Sequence, residues 1–322
     1  MAKRVKRRTA ARTPTKARGS PKGRKRTAAP RAAARTTSRS NGSPAANAGA
    51  GSAAKPVTLP IYQVDAFTSR RFHGNPAAVV MLEKKWLATE LMQQIASENN
   101  VSETAFLLPK GKKGNDPRFG LRWFTPAVEM DLCGHATLAA AHVLWSHEGV
   151  KGDRIVFDSA SGPLPVERAG DLLVLDFPRR AGTPCAVSDE LCFALGQEPA
   201  EAYKSHGRIM AVFENRRDVY GLKPDMEKVA ALGGVGVIVT APGSGHDFVS
   251  RFFAPQAGVD EDPVTGSAHS TLTPYWARRL KKDVLRGHQV SKRGGELWCE
   301  DAGQRVRIGG HAVTFLVGRI SV

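Results

Sequence analysis

The stretch RWFTPAVEMDLCGHATLAAAHVLW, residues 122–145, runs from an aromatic strand end through a polar loop into an apolar, alanine-rich helix. That helix begins with a cysteine, a glycine and a histidine side by side. A buried helix needs a start signal, which Asp131 or Gly134 can supply, but it has no structural use for a thiol and an imidazole at one end. The first helical turn presents unpaired N–H groups and a partial positive charge. It therefore suits an anion, or a group that must become anionic.

The pattern occurs twice. RWFTP at 122–126 is followed by Gly134, a small-residue helix and Trp145; RFFAP at 251–255 is followed by Gly266, the small-residue run SAHST and Trp276. Upstream of each lies an apolar strand, ETAFLLPKG (103–111) and GVIVTAPGSG (236–245). The shared order of strand, strand, polar loop, glycine and helix points to duplication. Two similar halves, each wrapping strands around one buried helix, would bring both helix N-termini to the seam between them.

Working outward, LPIYQVDAF (59–67) and PAAVVML (76–82) have strand patterning and LATELMQQIASENN (87–100) has helical spacing. RIVFDS, LPVERAG and LLVLDFP, between 154 and 178, form a meander with Gly and Asp at the turns. The expected organisation is a first half over 57–178, a second over 179–322 and a separate segment over 1–56. Of the 47 Lys and Arg, 16 lie in residues 1–56 with no acid among them; the remaining 31 face 30 acidic residues, a net of +1. The total of +17 thus belongs to that segment. It has almost no large apolar residue, so it is expected to be disordered. It reads either as a nonspecific binder of nucleic acid or other polyanions or as a solubilising extension; its Arg- and Ser-rich, acid-free composition also overlaps with transit peptides. Four cysteines without C-x-x-C or zinc-type spacing fit a reduced, cytoplasmic setting. No apolar run reaches the roughly 18 residues of a membrane span, so no membrane partner is expected.

Three places carry candidate chemistry. His135 reads either as a cap of its own helix or as a site residue. Asp262, before Pro263, reads as a turn or a helix N-cap, or as a site residue beside Thr265, Gly266 and Ser267. Glu103, next to Ser102 at the head of an apolar strand, is either solvent-facing or a base at the seam. A carboxylate there can take and return a proton. Placement of these residues at equivalent ends of the two repeat units favours a site.

VDAFTSRRFHGNPAAVV (64–80), IASENNVSETAFL (95–107), CGHATLAAAHVL (133–144) and DPVTGSAH (262–269) together resemble the phenazine biosynthesis PhzF-like family, with its diaminopimelate epimerase-type fold. The resemblance covers most of residues 60–320. It implies an α+β fold of two similar domains, each a β-barrel-like sheet around a central helix, and a homodimer. It also implies an isomerase. In the phenazine member, a glutamate moves a proton between carbons of trans-2,3-dihydro-3-hydroxyanthranilate with neither metal nor organic cofactor. By the same resemblance the glutamate falls on Glu103, the motif histidine on His135, and the acid and serine of the last motif on Asp262 and Ser267. Gly134 and Gly266 would offer N–H groups to a substrate carboxylate, with Ser102 and Asn75 as further contacts. The epimerase relatives use one cysteine from each half. Here only Cys133 is so placed, since Cys299 starts no helix, so a one-base transfer is expected. The rival expectation is a binding or interaction protein of this fold without catalysis.

Overall fold

Strand β1 (Thr58–Ala66), β2 (Asn75–Met81), helix α1 (Thr89–Asn99), β3 (Glu103–Lys113), β4 (Asp116–Phe124), the short β5 (Glu129–Met130), α2 (Gly134–Ser146), β6 (Arg154–Ser159), β7 (Gly162–Ala169) and β8 (Leu172–Pro178) make up the first half. The second begins with β9 (Thr183–Cys185), α3 (Asp189–Leu195), β10 (Glu201–Ser205), β11 (Arg208–Val212), α4 (Arg216–Gly221) and α5 (Met226–Ala231). It continues through β12 (Gly236–Pro242), β13 (Phe248–Ala254), β14 (Val259–Glu261), α6 (Gly266–Leu280), β15 (Val284–Gln289), β16 (Gly295–Ala302), β17 (Arg305–Gly310) and β18 (Ala312–Ser321). These elements come from a computed structural model that describes residues 56–322. The basic segment expected to bind polyanions lies outside the described residues, apart from Pro56.

The strands pair in the order β18-β1-β2-β3-β4-β6-β7-β8 and, through β8 against β17, β17-β16-β15-β13-β12-β11-β10-β9. The two runs mirror one another. Parallel pairs fall at β2–β3 and β4–β6 in one, and at β11–β12 and β13–β15 in the other. A parallel pair needs a long crossover, and α2 and α6 supply the matching ones. The duplication read from RWFTP and RFFAP is thus a repeat of architecture. The fold is α+β: two similar barrel-like sheets, each around a central helix. β18, at the end of the second half in sequence, pairs with β1 of the first.

Nearly every residue of α2 from Gly134 to Trp145 is buried, as is α6 from Ala268 to Ala277. A helix apolar on all sides belongs inside a sheet, and the alanines of α2 let the strands close tightly around it. Helix α6 contains Pro274, whose missing N–H leaves the Ser270 carbonyl without its helical partner. The Arg180 backbone N–H fills that place at 3.1 Å and ties the link between the halves to the second central helix.

Register extends the repeat to single residues. Phe106 faces Arg122 across β3–β4, and Val239 faces Arg251 across β12–β13. Each arginine grips a glutamate on the short following strand with both nitrogens, Arg122 on Glu129 at 2.6 and 2.6 Å, Arg251 on Glu261 at 2.7 and 3.0 Å. Counting back three residues from Phe106 and Val239 makes Gly236 the counterpart of Glu103.

Candidate active site

The starts of α2 and α6 meet. A β-carbon on Gly134 would stand 3.6 Å from the Gly266 Cα and 3.2 Å from the Phe177 ring. On Gly266 it would stand 3.7 Å from the Gly134 Cα and 3.3 Å from the Phe67 ring. Only residues without side chains allow this approach, and it aims two sets of free N–H groups at one spot.

The loop between β1 and β2 delivers Asn75 to that spot. Gly74 has φ of +65°, and a β-carbon there would lie 2.1 Å from the Ala66 carbonyl oxygen, so glycine is required. From the other half, Arg293 donates to the carbonyls of Gly74 at 2.8 Å and His73 at 2.9 Å and to the Asp65 carboxylate at 2.7 Å. The loop is thereby held against the second half. Asn75, fully buried, places its Nδ2 at 2.8 Å from Asp262 Oδ1, 2.9 Å from the Val264 carbonyl and 3.2 Å from His135 Nδ1.

Glu103, at the first position of β3, brings Oε2 to 2.9 Å from His135 Nε2. The two atoms form a close ion-pair contact. On the other side of the ring, Cys133 Sγ lies 3.5 Å from Nδ1. Asp262 accepts from the Thr265 hydroxyl, and its backbone carbonyl accepts from Gln289 at 2.7 Å.

Burial alone would keep the His135 imidazole neutral; its neighbours Cys133 and Glu103 instead hold its pKa well above the ordinary histidine range. Burial and the neighbouring Glu103 push the Cys133 thiol up. With the thiol thus kept protonated, Glu103 is the charge that holds the imidazolium. Burial, together with the like charge of Glu103, also raises the Asp262 carboxyl, against the pull of His135.

Among the residues singled out from sequence, Glu103, His135, Asp262, Asn75, Gly134 and Gly266 come together. Ser267 stands next to them in the first turn of α6, where its hydroxyl accepts from Arg208 at 3.1 Å. Ser102 is half-buried in the bend before β3 and forms no side-chain hydrogen bond with the group. His135 does not cap its own helix, since the α2 N-cap is Cys133 and no side chain caps it. Nor does Asp262 cap α6, whose N-cap is Thr265. Cys133 and Thr265 hold equivalent positions, a signal available in the repeat. Gln289 and Arg208 had no motif to announce them. The cysteine spacing showed no metal ligands, yet folding gathers ligand atoms of Glu103, Cys133 and His135 within 4.8 Å of one another.

Residues 64–318 match the family model described as phenazine biosynthesis-like protein. The chain belongs to this PhzC/PhzF family. An uncharacterized isomerase of Pseudomonas aeruginosa is 52% identical over 262 residues, covering 81% of this chain and 98% of that protein. A PhzF-family crystal structure from Enterococcus faecalis is 46% identical and superposes with a TM-score of 0.78 over 83% of this chain and 100% of that one. A hydroxyproline epimerase from Agrobacterium vitis, 11% identical with a TM-score of 0.56 over 82% of this chain and 93% of that one, shares the fold. The family, and curated relatives in it named isomerases, support an isomerase role for this PhzF-family protein. No helix among the described residues is long and apolar enough to cross a membrane.

Proposed function

We propose that this protein is an isomerase that moves a proton between carbons of a small carboxylate-bearing molecule, with Glu103 as the single base and no metal or organic cofactor. The observation that carries this is the 2.9 Å contact of Glu103 with His135 where two helix N-termini converge. The substrate carboxylate rests against the N–H groups at Gly134 and Gly266, in the partial positive charge of both helices. The Glu103 carboxylate removes a proton from a carbon conjugated with that group. The electron pair spreads toward the substrate carboxylate, and the neutral acid returns the proton to another carbon, which regenerates Glu103. Nothing is oxidised or reduced. The His135 imidazolium balances the charge of Glu103, while Asp262 and the Val264 carbonyl hold the Asn75 amide beside the ring.

The test is incubation in deuterated water with unsaturated ring and open-chain acids, beginning with trans-2,3-dihydro-3-hydroxyanthranilate, and deuterium read by mass spectrometry. Glu103→Gln should lower incorporation by about 10²–10⁴-fold with an unchanged circular dichroism spectrum. A wild-type rate in that variant would remove Glu103 as base; binding without exchange in the native protein would make it a binding module. Stoichiometric zinc or iron in active protein would overturn the metal-free part, Glu103, Cys133 and His135 being the ligands to examine. A cytoplasmic homodimer completes the proposal, and light scattering that returns the mass of one chain would remove the dimer.

A further inference from the structure

Arg208, the first residue of β11, is a cation without a counter-charge in contact. Its hydrogen bond among the described residues goes to the neutral Ser267 hydroxyl, and its Nε is buried with no partner. Burial, and next the like charge of Arg180, pull its pKa down to about 10, with Asp262 offering only a weaker opposing attraction. Phe252 lies under the guanidinium at 5.7 Å, an apolar face that supplies no hydrogen-bond acceptor. An arginine presents a planar fork of donors matched to carboxylate or phosphate. Leaving part of that fork dry and unfilled is costly in the free protein.

The same residue lines a cavity of about 520 Å³ against β10 and β11, together with Lys204, Ser205 and His206, and no acidic side chain is among the described residues of its wall. Arg208 thus touches the first turn of α6 with its guanidinium and is also a wall residue of a chamber whose charged groups are all basic. Nothing in the proton-transfer steps uses it.

We propose that Arg208, with Arg180 beside it, anchors a second anionic group of the substrate, so that the enzyme takes dianions: small acids bearing a further carboxylate or phosphate besides the one held at the helix ends. This rests on the isomerase reading above. The first half then does the proton chemistry and the second selects by charge.

Calorimetric titration with benzoate, phthalate and inorganic phosphate tests it on the full chain, on Glu103→Gln and on Arg208→Gln. Native protein and Glu103→Gln should bind phthalate at least about tenfold more tightly than benzoate, and Arg208→Gln should lose the difference. Arg208→Lys, which keeps the charge without the fork, should retain part of it, and it replaces the glutamine variant if that one fails to fold. Competition of phosphate with phthalate would assign the second group to phosphate, and its absence to carboxylate. Equal affinity for benzoate and phthalate in the native protein, or an undiminished preference in Arg208→Gln, would overturn the proposal. Deuterium exchange keeps the two ideas apart. An Arg208-dependent preference without exchange on any acid would sink the isomerase and leave the anion site; Glu103-dependent exchange with no such preference would do the reverse.

Discussion

At the start of α2 stand Cys133, Gly134 and His135, with Glu103 reaching across from β3. At the matching start of α6 stand Thr265, Gly266 and Ser267, and Glu103's counterpart is Gly236, where a β-carbon would lie 2.5 Å from the Phe253 carbonyl oxygen. One scaffold thus carries a thiol, an imidazole and a carboxylate at its first helix end and mostly hydroxyls at its second. The histidines of the two helices show the consequence. Both are buried, but His135 has Glu103 beside it and is held charged, whereas His269 has only the Thr265 carbonyl at 2.9 Å and burial drives its pKa down to about 4. Desolvation is common to both sites, and a neighbouring carboxylate decides which way the ring goes.

Blurring the meeting of the two ends should have the largest effect. Gly134→Ala and Gly266→Ala each place a methyl group 3.2–3.3 Å from a phenylalanine ring, which must give by a few tenths of an ångström, and put a methyl group between the two helix starts. We expect turnover to fall by up to about 10²-fold, the cost of a displacement near 1 Å, with a thermal midpoint lowered by only a few degrees. Full activity in both would mean that the close approach serves packing alone.

The two histidines should separate by pH. The folded form of His269 resists protonation, so its contribution is complete above about 6.5, the ordinary histidine value, and is lost as pH falls toward 4; the loss is on the order of 3 kcal/mol. The folded form of His135 favours its proton, so its contribution is present below the ordinary value and lost as pH rises through the elevated one. Urea unfolding across pH should therefore lose its acid-side slope in His269→Gln and its alkaline-side slope in His135→Gln. Identical profiles for the two variants would erase the contrast.

A smaller difference should appear in the paired arginines. The side chain of Arg251 is 13% exposed and also donates to the carbonyls of Val219 and Leu222, whereas that of Arg122 is 25% exposed. Arg251→Met should cost about 2 kcal/mol, through acceptors left unpaired, and Arg122→Met less than about 1. Equal costs by chemical denaturation would show that the half-sites are equally buttressed.

The smallest effect on turnover should come from removing residues 1–55, which contribute no acid or aromatic group. Binding to heparin or DNA, expected of the full chain with a log–log salt slope of several units, should then be lost. Lost turnover would place part of the site in that segment.

Much was legible in the sequence because it is local. Strand and helix periods came through in segments such as IYQVDAF and LMQQIASEN, and repetition of Arg-aromatic-Phe before a glycine-started helix revealed the two halves. Glu103, His135 and Asp262 stood out because each lies at or just before the start of an element, at equivalent ends of the two repeat units. Tertiary structure alone decided what crosses the chain. The return of β18 to β1 spans nearly the whole fold. Arg293 reaches Asp65 and Gly74 over more than 200 residues, and Gln289 and Arg208 join the α6 end from strands with no motif. Their roles depend on burial and on which partners are missing, and neither is a property of neighbouring letters. A charge left unpaired in a dry pocket exists only once the chain has closed around it.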